Sequence, residues 1–101
     1  MFIQMRRFTV TEGNGHHIIE KFSKGGSPVS KQEGFMDLTV MEKKVRRGDE
    51  EVLIMIRWAS EAHWKAWEKS PEHIAGHRAK RGQEKPEYIK NVEVAAYEVR
   101  T

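Results

Sequence analysis

Cysteine is absent from this 101-residue chain. That excludes a disulfide framework, a thiolate metal site and a cysteine nucleophile together, and it fits a reducing compartment. No uninterrupted apolar run approaches the roughly 20 residues needed to span a bilayer, so no membrane association is expected. The N-terminal Met1-Phe-Ile-Gln-Met-Arg-Arg7 places its charges after the apolar residues. This reverses the order of a secretory signal, and the expected location is the cytoplasm. Repeats and low-complexity segments are also missing. Nor does one charge sign dominate: 18 lysines and arginines stand against 15 acids, for a net charge of +3. The densest basic groups are Lys43-Lys44 with Arg46-Arg47, and Arg78 with Lys80 and Arg81. They read as solvated turns, and with no RNA- or DNA-binding motif beside them no nucleic-acid partner is expected.

What is there is 38% apolar and 33% charged, the balance of a soluble globular protein with a single domain spanning residues 1–101. A chain this short has little room for a deep private pocket. Its core or its site is expected to be completed by a second copy in a homodimer.

Residues 2–10 alternate, setting Phe2, Gln4, Arg6, Phe8 and Val10 on one strand face and Ile3, Met5, Arg7 and Thr9 on the other. Residues 11–15 break that strand, and Ile18, Ile19 and Phe22 recur at helical spacing over residues 15–24. Gly25-Gly26-Ser27-Pro28 ends the helix, and a polar loop follows. Strands are predicted from Phe35 to Val45 and from Glu51 to Trp58, joined by a hairpin turn at Arg46-Arg47-Gly48-Asp49. The second of these strands is apolar on both faces. It needs cover on both, one side from the chain's own helices and the other from a partner's sheet. Ser60 is placed to cap a helix from Glu61, and Ser70-Pro71 to restart it as far as Ala79. Residues 80–88 read as a mobile loop, and Val92, Val94 and Ala96 alternate with Glu93, Ala95 and Tyr97 as a last strand. The order β-α-β-β-α-β, with its second helix broken in two, is the split arrangement of an α+β ferredoxin-like domain.

Between residues 58 and 77 the chain gathers Trp58, Trp64 and Trp67 with His63, His73 and His77. A small core absorbs Trp58 and Trp64, whereas Trp67 suits packing and contact with a flat ligand equally well. His77, beside Ile74, Ala75 and Gly76, has neighbours that would let a macrocycle approach an imidazole able to ligate haem iron; a surface or capping histidine is the plainer reading. His73 and His77, four apart, resemble half of a metal pair, yet neither the glutamate of the zinc-protease motif nor a third ligand accompanies them. His16-His17 reads as a solvated pair opening the first helix.

The order and spacing of Thr9-Val-Thr-Glu-Gly13 before Ile18-Ile-Glu-Lys-Phe22, of Glu33-Gly-Phe35, of Trp58-Ala-Ser60 before Trp67-Glu-Lys-Ser70, and of Ala75-Gly-His77-Arg78 carry a resemblance. Over nearly its full length the chain resembles the haem-degrading monooxygenases of the iron-regulated surface determinant system, within the antibiotic-biosynthesis-monooxygenase superfamily. The resemblance implies a dimeric α+β barrel with haem as substrate and cofactor together, and an external reductase as electron source. It assigns His77 as the axial iron ligand and Trp67 as the side chain that crowds and ruffles the macrocycle. Phe22 and Trp64 are the further residues expected to help enclose a ring. The family's third functional residue is an asparagine on the first strand. Arg6 stands in its place, and a guanidinium there cannot reproduce the amide's geometry and needs an anionic partner. Three readings follow. One is haem degradation with Arg6 altering the chemistry. Another is metal-free oxidation of a small aromatic or quinone-like compound whose anionic group Arg6 holds. The third is a non-enzymatic binding module whose tryptophans fill a dimer core.

Overall fold

The computed structural model describes residues 1–23, 28–80 and 85–101, apart from the side chains of His77, Ala79 and Lys80. The predicted helix breaker at Gly25-Gly26-Ser27 and the part of the predicted loop from Arg81 to Glu84 lie outside the described residues. The strands are β1 (Phe2–Val10), β2 (Phe35–Glu42), β3 (Glu50–Trp58) and β4 (Ile89–Glu98); the helices are α1 (Gly15–Ser23), α2 (Glu61–Glu68) and α3 (Pro71–Lys80). A short 3-10 turn occupies Pro28–Lys31. The strands form one antiparallel sheet in the order β2-β3-β1-β4, which is the ferredoxin-like α+β topology expected from the sequence.

Local chemistry sets the boundaries. Gly48, at φ +90°, lets the chain reverse between β2 and β3. Ser60 caps α2 by accepting a bond from the His63 amide, and Ser70 accepts one from the His73 amide beside Pro71. Proline suits that first position because its missing N–H would have had no helical partner. Two boundaries differ from expectation by three residues. The second strand stops at Glu42 rather than Val45, and the last begins at Ile89 rather than Val92. A register shift at Thr9/Val10 draws Ile89 into pairing with Val10, and the Thr11 amide bonds the Tyr88 carbonyl at 2.9 Å.

On the helix-covered face the core is split. Phe8, Val10, Ile18, Val52 and Ile54 form one cluster, while Phe2, Val29 and Trp58 form the other with Phe35, Ile56, Trp64 and Trp67 against them. Burial of each such side chain contributes about 1.5–3 kcal/mol. Gln4 and Arg6 fall between the two clusters, on the same strand face as Phe2 and Phe8. A polar interruption of an apolar row therefore lies at mid-sheet.

Among the described residues the opposite face carries no helix. Across it run the rows Thr39-Met55-Met5-Ala95 and Met41-Leu53-Arg7-Glu93. Arg57 binds Asp37 beside them, and Arg7 lies 3.2 Å from Glu93. Among the described residues no helix is long and apolar enough to cross a membrane.

Candidate functional site

The gap between the two clusters is a half-open cavity of about 330 Å³, within the range of small-molecule sites. Its floor is Gln4 and Arg6 of β1, Leu38 of β2, and Ile54 and Ile56 of β3. Lys21 and Phe22 of α1 close one side, Pro28 and Val29 of the 3-10 turn another, and Trp67, Glu72, His73 and Gly76 of α2 and α3 the rest.

The structure thus brings together Arg6, Phe22 and Trp67 from the residues singled out in sequence. Trp64 lies elsewhere: its ring packs on Phe2 at 5.0 Å, and it does not line the cavity. Its indole N–H is buried without a hydrogen-bond partner among the described residues. The reason is helical geometry, since positions three apart are offset by some 60° around a helix of about 3.6 residues per turn. Trp67 meets the cavity while Trp64 settles into the cluster with Trp58. The side chain of His77 lies outside the described residues, so its expected role as iron ligand is not carried by a contact here. The neighbouring Gly76 lines the cavity, and a β-carbon there would meet nothing within 4 Å. The surface of α3 is open to a flat guest at that point.

Two roles in the wall escape sequence reasoning: that of His73, which the sequence offers only as half of a metal pair with His77, and that of Val29. His73, in the cavity wall, stands edge-on to Trp67, and its Nε2 lies 2.9 Å from Glu68. Val29 is buried in the wall from within a segment whose composition reads as polar loop. The His16-His17 pair is exposed as expected; the two rings meet at a tilt, and His17 alone stacks on Tyr88, away from the cavity.

Around the cavity the polar groups are mostly donors. The Trp58 indole N–H reaches the Gln4 side-chain oxygen at 3.4 Å; because an indole can only donate, the amide nitrogen of Gln4 is the end left over, without a partner among the described residues. Arg6 is half-buried and always charged. The walls therefore suit a flat, mostly apolar guest, porphyrin included: hydrophobic side chains and an indole for its faces, cationic groups for acidic substituents.

The family model described as antibiotic biosynthesis monooxygenase matches residues 1–79. The chain belongs to the antibiotic biosynthesis monooxygenase family. It is 58% identical over 100 residues to the haem-degrading monooxygenase HmoA of Bacillus subtilis (strain 168), the match covering 99% of this chain and 92% of that one. A crystal structure from Bacillus cereus, described as an antibiotic biosynthesis monooxygenase, superposes with a TM-score of 0.86 at 49% identity, covering 99% of this chain and 93% of that one. The haem degrader MhuD of Mycobacterium tuberculosis, solved with two haems in its active site, superposes with a TM-score of 0.68 at 18% identity over 98% and 95% of the two chains. At that identity the likeness to MhuD concerns the fold alone. As a member of this family the chain has the architecture of a monooxygenase with its cleft between helices and sheet.

Proposed function

We propose that the chain is a haem-degrading monooxygenase, one domain over residues 1–101 acting in the cytoplasm on haem as substrate. The observation that carries this reading is the half-open apolar cavity with Trp67 in its wall and open space over Gly76. The near-full-length relationship to HmoA supports the choice of haem. When bound, haem supplies the iron that activates dioxygen, and its own ring is what is oxidised.

The chain's residues would act as follows. His77, on α3, would be the residue to hold the haem iron, and Trp67, in the cavity wall, would pack against the macrocycle. Phe22, Val29 and Ile56 exclude water from its apolar surface. Arg6 and Gln4 present donors from the sheet. An external reductase would supply the electrons. The bare face of the sheet, with Met5, Leu53 and Met55 half-buried at its centre, is covered by a second copy of the chain.

Titration with haemin tests the proposal. A saturable Soret shift is expected for the native protein and its loss in His77→Ala; addition of a reductant under air should bleach the band. If the native protein gives no saturable shift, the reading fails. Metal-free oxidation of a small aromatic compound in the same cavity is the second reading. It is favoured by Arg6 standing where the haem-degrading pattern has an asparagine.

A further inference from the structure

Arg6 projects from the middle of β1, between Ile54 of β3 and Val94 of β4 in register, into a cavity whose lining is largely aliphatic and aromatic. Among the described residues no carboxylate lies within ion-pair distance of its guanidinium. Glu72, the acid on the cavity wall, is not paired with it. In the open cavity water solvates the cation. A guest that fills the cavity strips that water away, and a buried cation left without a counter-charge opposes binding. A guest that brings its own anion converts the same cost into a charge-assisted, two-pronged hydrogen bond. Two residues along the same strand face, Gln4 is oriented by Trp58 so that its amide donor is the group left over. The floor therefore offers a fork of donors flanked by another donor, framed by apolar walls.

We propose that Arg6, aided by Gln4, is a carboxylate receptor that makes this cavity selective for flat guests carrying an acid over neutral guests of the same shape. This deepens the haem reading, since the groups of that class on haem are its propionates. It rests on that reading only in taking the cavity to be the ligand site. Arg6 is then a specificity-determining residue, tying the orientation of the guest to the position of its acid.

The test uses two ligand pairs that set an acid against a neutral derivative on the same ring: iron-free protoporphyrin IX against its dimethyl ester, and 2-naphthoate against 2-naphthamide. Binding is followed by quenching of tryptophan fluorescence in the native protein, Arg6→Gln and Arg6→Lys, with circular dichroism confirming that each is folded. For the native protein the acid of each pair should bind about tenfold or more tightly than its neutral counterpart, the size of one charge-assisted pair in a partly desolvated site. Arg6→Gln should bring that ratio close to one, chiefly by weakening the acid, and Arg6→Lys should keep part of it. An acid-to-neutral ratio in Arg6→Gln equal to that of the native protein overturns the inference, as does the absence of any preference in the native protein. If haemin and protoporphyrin fail to bind at all, the haem reading falls, and the naphthoate pair alone decides whether Arg6 reads a carboxylate. Neither ligand pair contains iron, so a result with them is independent of His77.

Discussion

The imidazole of His73 meets the indole of Trp67 edge to face, with ring centres 4.9 Å apart and planes at 65°, while its Nε2 lies 2.9 Å from the Glu68 carboxylate. The ring is thus held from two sides, and it in turn holds the indole against the cavity. His73→Ala is expected to lose an aromatic contact of about 0.5–1.5 kcal/mol. At about 4–8 °C per kcal/mol for a domain of this size, that lowers Tm by several degrees. Tryptophan emission should shift to the red as Trp67 gains exposure. His73→Phe should restore most of the melting temperature without the bond to Glu68. Differential scanning calorimetry and fluorescence spectra check both outcomes.

Two glycines with the same backbone sign should respond differently to alanine. Gly34 has φ +85°, and a β-carbon there would stand 2.2 Å from Cγ of His63, whereas Gly48 has φ +90° with nothing within 4 Å. The His63 amide donates to the capping Ser60 hydroxyl, and the ring Nδ1 of His63 lies 2.8 Å from the same hydroxyl. Gly48→Ala should therefore cost only left-handed strain, about 1–2 kcal/mol. Gly34→Ala should add roughly another 1–3 kcal/mol from overlap with Cβ and Cγ of His63, and more where the shift disturbs the cap. Urea denaturation midpoints separate the two.

Glu50 ties two turns together: one oxygen accepts from the Gly13 amide at 3.0 Å and the other from the Gly15 amide at 2.8 Å. These backbone bonds, reinforced by His16, hold its carboxyl below the ordinary value of 4.5. A depressed folded-state value means the stabilisation is complete above 4.5 and is lost as the pH falls through the lower folded value. Acidification below about pH 4.5 should then release the amides of Gly13 and Gly15 for hydrogen exchange. Glu50→Gln should abolish that pH dependence while lowering stability at neutral pH.

Met55 and Met5 pair at the centre of the uncovered sheet face. Met55→Lys places a charge where a second copy would pack, and the association should weaken by at least about a hundredfold if that face is buried. Analytical ultracentrifugation should show a dimer for the native chain and a monomer for the variant. A native monomer at high protein concentration would remove the homodimer from the proposed function.

Strand parity was enough to aim Arg6 inward, because alternation has a period of two and the flanking Phe2 and Phe8 mark the buried side. Ser60 and Pro71 likewise announced where α2 and α3 begin, since a cap and a first-turn proline act through neighbouring backbone groups. His73 was legible only as a partner four residues from His77. Its contact with Trp67 and Glu68 crosses the break at Ser70-Pro71, and a pair spanning two separate helices leaves no periodic trace. Val29 was hidden for a different reason. One apolar residue among Pro28, Ser30 and Lys31 has no pattern around it, and only the tertiary position of the 3-10 turn makes it a wall.

Gly76 sits inside a helix, where glycine is about 0.8–1.0 kcal/mol less favourable than alanine, although a β-carbon there would touch nothing. Folding and ligand capture pull that position in opposite directions. Alanine should harden the helix while its methyl group intrudes on the vacant space, so the variant that melts later is the one that admits its guest less readily.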